Sequence, residues 1–195
     1  MKQTVVKTRS FLNPETLLRS VPLEPDMTVV DLGCGNGHYA ATAAMLVGKK
    51  GQVHAFDILE EALSQTATLA RLQGAQNVAT RQCDLEKIGS CNLQEQSADV
   101  VVVSSILHQL KNKENAIREA YRLLKTGGRL LLVEWKKDSM IGPKVAERIG
   151  EKEIREILEH NGFRPARPQR LSASDGGRVS DLPAGSFHYA LLYTK

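Results

Sequence analysis

Residues 29–37 run Val29-Val30-Asp31-Leu32-Gly33-Cys34-Gly35-Asn36-Gly37. An apolar strand carries one carboxylate into three alternating glycines. A carboxylate among apolar residues needs a compensating partner. Alternating glycines let a backbone approach a ligand more closely than side chains permit. In a dinucleotide fingerprint, G-x-G-x-x-G, the third glycine falls at position 38, and that position is His38. Asp31 at the strand end also suits a ligand carrying positive charge, such as an ammonium, better than a diphosphate. The loop therefore points to an adenosyl ligand and away from NAD or FAD.

Two further acids follow apolar runs. The stretch His54-Ala55-Phe56-Asp57 ends in a carboxylate about 20 positions past the glycine loop, where an acid can accept from both ribose hydroxyls. Asp57 is equally placed to cap the helix that follows. In Arg81-Gln82-Cys83-Asp84-Leu85, Asp84 can accept from an adenine amino group while Leu85 packs on the ring. Alone, Asp84 also reads as an ordinary turn aspartate.

The elements that must position these residues alternate along the chain. Near-continuous apolar runs at 28–32, 52–56, 78–82, 99–104 and 129–135 read as parallel strands covered on both faces. Helical periodicity falls on 58–73, stopped by Gly74, on 113–125, ending at Gly127-Gly128, and on 151–161, stopped by Gly162. Asn13-Pro14-Glu15 gives an N-cap and first-position proline, so a short helix precedes the first strand. Two tail strands, 166–172 and 187–194, flank a Gly/Ser/Asp-rich loop at 174–186. This order predicts a doubly wound α/β sheet with right-handed crossovers and ligands at the carboxyl ends of the strands.

At 195 residues the chain reads as one domain, 1–195, with residues 1–25 as an N-terminal helical cap. Composition is that of an ordinary globular protein, 42% apolar and 25% charged. No apolar run approaches the ~20 residues of a membrane span. Met1–Lys7 lacks the apolar stretch of a secretory signal, so cytoplasmic residence is expected. Cys34, Cys83 and Cys91 are odd in number and lack zinc spacing, which predicts free thiols in a reducing compartment and no metal. Cys34 fits as a small apolar filler of the glycine loop. Net charge is +4, with its lysines and arginines spread along the chain, as expected of solvated helix faces rather than a nucleic-acid patch.

Asp31–Gly37, Asp57, Cys83-Asp84-Leu85, Asp99–Val103 and Leu123–Leu130 together resemble the class I S-adenosylmethionine-dependent methyltransferases, over roughly residues 13–165. The resemblance implies a Rossmann-like, mostly parallel seven-stranded sheet whose last strand is antiparallel. It implies that Asp31 and the backbone of Gly33, Cys34, Gly35 and Gly37 hold the methionine part of S-adenosyl-L-methionine. Asp57 would then bind ribose, Ile58 would lie against adenine, Asp84 and Leu85 would hold the adenine, and the Ser104 carbonyl would face the cofactor ammonium. The product would be S-adenosyl-L-homocysteine.

On the acceptor side, Ser104-Ser105-Ile106-Leu107-His108-Gln109-Leu110 resembles the L-H-H stretch of small-molecule enzymes similar to the ubiquinone/menaquinone C-methyltransferases, with Gln109 at the second histidine position. His108 reads as a general base or acceptor anchor, or as packing that shapes the pocket. Glu134, beside Trp135 at the end of the fifth strand, reads as a group for a cationic or hydroxylated acceptor, or as a surface residue. Trp135 reads as core packing or as a stacking platform. The expected activity is in-line methyl transfer to a small molecule. The rivals are a nicotinamide-dependent oxidoreductase, a cofactor-binding partner subunit without activity, and an RNA methyltransferase. The chain lacks the Asn/Asp-Pro-Pro-Tyr/Phe and Pro-Cys stretches of nucleic-acid methylating enzymes. Cys83 and Cys91 lie close enough in sequence for an arsenic-binding thiol pair, without the further cysteines that arsenite-methylating members carry.

Overall fold

A computed structural model describes residues 12–166, 181–182 and 184–195. Five parallel strands come first: β1 (Thr28–Leu32), β2 (Gln52–Asp57), β3 (Val78–Gln82), β4 (Ala98–Ser104) and β5 (Leu124–Trp135). The tail adds β6 (Arg164–Pro165), β7 (Asp181–Leu182) and β8 (His188–Thr194). Seven strands lie in the order β3-β2-β1-β4-β5-β8-β6, and the two-residue β7 pairs with β8 outside that path. Strand β8 runs antiparallel to β5, and β6 and β7 run antiparallel to β8. The mostly parallel Rossmann-like sheet with an antiparallel final strand is therefore present.

The helices are α1 (Pro14–Ser20), α2 (His38–Val47), α3 (Glu60–Leu72), α4 (Lys113–Leu123) and α5 (Glu151–His160), with a single 3₁₀ turn at Leu107–Gln109. Asn13 caps α1 through its side chain, which accepts from the Thr16 N–H at 3.1 Å, and Pro14 opens the helix. Alternate residues of the strands feed two cores. Val29, Val53, Val100, Val102 and Leu131 pack with Leu17 and Leu18 of α1 and Ala40, Ala44 and Val47 of α2. Val30, Leu32, Val101, Val103 and Leu132 pack with Ile117 and Leu123 of α4 and Ile154 and Leu158 of α5. Burial on both faces is why these strands read as unbroken apolar runs.

Four details differ from the sequence reading. The stretch 38–47 has no amphipathic stripe to announce a helix, yet it forms α2, because six of its residues are buried. Helix α4 stops at Leu123 and β5 begins at once, carrying Gly127 and Gly128 through a register shift between Ala98 and Val100 of β4. The tail strand expected at 166–172 appears only as Arg164–Pro165, and residues 167–180, with most of the expected 174–186 loop, lie outside the described residues. The expectation of free thiols fails for two cysteines. Cys83, at the end of β3, and Cys91 are joined in a disulfide, because the intervening turn returns their Cα atoms to 4.6 Å, while Cys34 remains free and buried. No helix among the described residues is long and apolar enough to cross a membrane.

The disulfide closes a short loop, so its reduction is expected to lower the unfolding free energy by on the order of 2–3 kcal/mol, measured by denaturant titration with and without a dithiol. Thiol titration of the denatured chain should find one reactive thiol before reduction and three after.

Candidate active site

Strand β1 sits mid-sheet, with β2 and β3 on one side and β4 and β5 on the other. The crossovers reverse direction there, and such a switch point opens a crevice at the carboxyl ends of the strands. A cavity of about 700 Å³ occupies that crevice.

The glycine loop forms its floor. Gly33 and Cys34 donate their N–H groups to the Phe56 carbonyl at 2.8 and 2.9 Å, which closes the end of β1 onto β2. The Gly35 N–H donates to Asp57 Oδ2 at 3.0 Å, and the other Asp57 oxygen accepts from Leu59 N–H at 3.0 Å. Asp57 thus ties the loop to the turn before α3 while lining the cavity. Two glycines are sterically required. Gly33 has φ +76°, and a Cβ there would meet Ile106 Cγ1 at 2.7 Å. Gly37 has φ +81°, and a Cβ would meet the Thr66 backbone of α3 at 2.7 Å, so this glycine serves helix packing and does not line the cavity.

Asp31 is buried, at 2% exposure, and its Oδ2 has no hydrogen-bond partner. Burial pushes its carboxyl up to about 7, opposed by the Ala40 amide and reinforced by Asp57. Tyr39, on the first turn of α2, lines the cavity with a buried hydroxyl that is also unpartnered, near Ser104 and Asp31. Desolvation raises the Tyr39 phenol, which stays neutral. The Cys34 thiol, whose sulfur accepts from Thr66 Oγ1 at 3.4 Å, is pushed up to about 12 by burial and by Asp31.

Of the residues singled out in sequence, Gly33, Cys34, Gly35, Asp57, Ile58 and Ser104 line the cavity. Asp84 and Leu85 do not. Asp84 pairs with Lys87 at 2.9 Å, and that bond holds its carboxyl below the usual carboxylate range. Leu85, at 5% exposure, belongs to the core that also holds Phe56 and Cys83. His108 and Glu134 are likewise absent from the wall. Glu134 is fully buried, and its Oε1 accepts from Leu107 N–H at 2.7 Å. The Nδ1 of His108 faces Glu134 Oε2 at 3.5 Å. Trp135 stacks on His188 with ring centroids 4.0 Å apart. His38, Tyr39, Ile106 and Gln109 line the cavity and carry no motif of their own. For Tyr39 the one available signal is its place on the first turn after the glycine loop.

An orphaned buried carboxylate, an orphaned phenol and a glycine floor without room for side chains fit the amino-acid end of an adenosyl sulfonium ligand. The comparisons agree with that fit. A methyltransferase-domain sequence profile matches residues 23–162. The chain belongs to the class I S-adenosylmethionine-dependent methyltransferases. It is 30% identical to an arsenite methyltransferase of Aquipseudomonas alcaligenes over 180 residues, 83% of this chain and 52% of that protein. It is 33% identical to a ubiquinone/menaquinone biosynthesis C-methyltransferase of Vibrio vulnificus over 114 residues, 58% of this chain and 43% of that protein. The chain thus spans about half the length of the curated relatives it matches. The crystal structure of a methyltransferase of the same cofactor class from Aquifex aeolicus superposes with a TM-score of 0.78 at 27% identity, covering 94% of this chain and 89% of that one.

The Asp31 carboxyl makes a pH dependence. Its folded value, about 7, lies above the unfolded 3.8, so the free protein loses stability from this group as pH rises through that window. A cationic ammonium requires the carboxylate, so S-adenosylhomocysteine is expected to bind roughly tenfold more weakly at pH 6 than at pH 8. Isothermal titration across that range checks this, and Asp31→Asn should flatten the profile.

Proposed function

We propose that this chain transfers a methyl group from S-adenosyl-L-methionine to a small organic acceptor. The observation that carries the reading is the pair of unpartnered buried groups, Asp31 Oδ2 and Tyr39 Oη, beside a glycine floor at the switch point of the sheet. Asp31 and Tyr39 would hold the amino-acid end, aided by the backbone of Gly33–Gly35 and by Ser104. Asp57 would accept from the ribose hydroxyls with the lone pairs its two backbone contacts leave free. Ile58 and Leu59, exposed by 55% and 63% at the cavity edge, offer apolar surface to the adenine. Asp84 would reach the adenine amino group from the end of β3 if its Lys87 contact yields. The cofactor supplies an electrophilic methyl on a sulfonium, so the protein's task is to bind, align and exclude water.

The acceptor is proposed to be organic rather than arsenite, although several relatives are named arsenite methyltransferases. Soft ions of that kind are held by thiolates. The chain has three cysteines. Two are joined to each other, and the third, Cys34, is held as a neutral thiol against Thr66. Nicotinamide chemistry is disfavoured by His38 at the third-glycine position and by the buried Asp31.

Titration of the intact protein is expected to show binding of both S-adenosylmethionine and S-adenosylhomocysteine. Asp57→Ala should weaken both at least about tenfold, since it removes the ribose acceptor and the Gly35 tether together. NADH binding without adenosylhomocysteine binding would sink the proposal.

A further inference from the structure

We propose that Gln109 selects the acceptor, that the buried Glu134–His108 pair beneath it fixes its position, and that the acceptor is an uncharged molecule bearing hydroxyl or carbonyl groups. This rests on the methyltransferase reading and extends it to substrate class.

The geometry begins at the 3₁₀ turn 107–109. Its first side chain, Leu107, is fully buried, and the Leu107 N–H donates to Glu134 Oε1. Its second, His108, turns inward, and Nδ1 faces the other Glu134 oxygen. Trp135 N–H donates to that same oxygen at 3.3 Å. A 3₁₀ turn has three residues per revolution, so with two side chains directed at the core the third points elsewhere. Gln109 is that third residue. It is exposed and lines the cavity. The turn is also seated against the cofactor floor, because Ile106 fills the space that a Cβ on Gly33 would need. Glu134 therefore acts as a positioning residue for both the acceptor wall and the glycine loop.

The chemistry follows from where the charges are. The cavity-lining carboxylates among the described residues, Asp57 and Glu61, belong to the β2–α3 side. On the β4 side the wall is Ser104, Ser105, Ile106 and Gln109. Glu134, the acid at the end of β5, is sealed in the core and out of reach of a ligand. A cationic acceptor entering here would lose water beside a sulfonium with no carboxylate to face it. A primary amide donates and accepts, so Gln109 matches hydroxyl and carbonyl groups.

The test uses the full chain with S-adenosylmethionine and three probes: hydroquinone, catechol and naphthohydroquinone, each beside its aminoethyl-substituted cationic analogue. Released S-adenosylhomocysteine reports turnover. At least one uncharged probe should show kcat/KM about tenfold or more above its cationic analogue. Gln109→Leu should raise KM for that probe about tenfold, with kcat and the S-adenosylhomocysteine affinity held. Glu134→Leu should reproduce the KM rise and also weaken S-adenosylhomocysteine binding. Glu134→Gln should rescue both, because its amide oxygen still accepts from Leu107 N–H. Preference for the cationic analogues overturns the proposal. So does Glu134→Gln as damaging as Glu134→Leu, or turnover of no probe by protein that binds S-adenosylhomocysteine. Failure to bind S-adenosylhomocysteine at all strikes the methyltransferase reading itself.

Discussion

The closure of the β1 loop onto the end of β2 is the constraint on which the site depends. Two consecutive amides, Gly33 and Cys34, share the Phe56 carbonyl, and the next odd residue, Gly35, donates to the Asp57 carboxylate. Without these three bonds the loop would have no reason to hold positive φ at Gly33, Gly35 and Gly37. With them, the backbone floor, the ribose-side acid and the start of α3 form one unit. Asp57 is therefore structural and ligand-directed at once, and the two roles use different lone pairs of the same oxygens.

The strands were legible because both faces of the sheet are covered. Val78–Gln82 and Thr28–Leu32 appear with the bounds their apolar runs predict. The glycine loop and the three acids were legible because each stands at the carboxyl end of a strand, and topology alone sends such residues toward a switch point. Helix α2 was not legible, since alanine-rich burial on most sides erases the stripe that periodicity detects. The disulfide was not legible either, because an odd cysteine count says nothing of which two a turn brings together.

The acceptor side was harder to read for a geometric reason. In a 3₁₀ turn, neighbouring residues differ by a third of a revolution, so one step along the chain moves a side chain from the core to the cavity. His108 has the chemistry of a base and faces inward, whereas Gln109, the departure from the L-H-H pattern, faces the ligand. Strand β5 poses the same problem. Glu134 follows an apolar run, and only the pairing of β5 with both β4 and β8 decides that its carboxylate is enclosed.

Two buried acids at neighbouring strand ends thus carry opposite meanings. Glu134 is provided for within the chain: its oxygens receive the amides of Leu107 and Trp135 and face His108. Asp31 has one oxygen with no partner, and its nearest charged neighbour, Asp57, has the same sign. A fold can keep the first acid for architecture alone. The second costs stability in the free protein and is offset only when a cation arrives. The difference between a satisfied and an unsatisfied carboxylate, more than the presence of either, separates the scaffold of this site from the part that waits for a ligand.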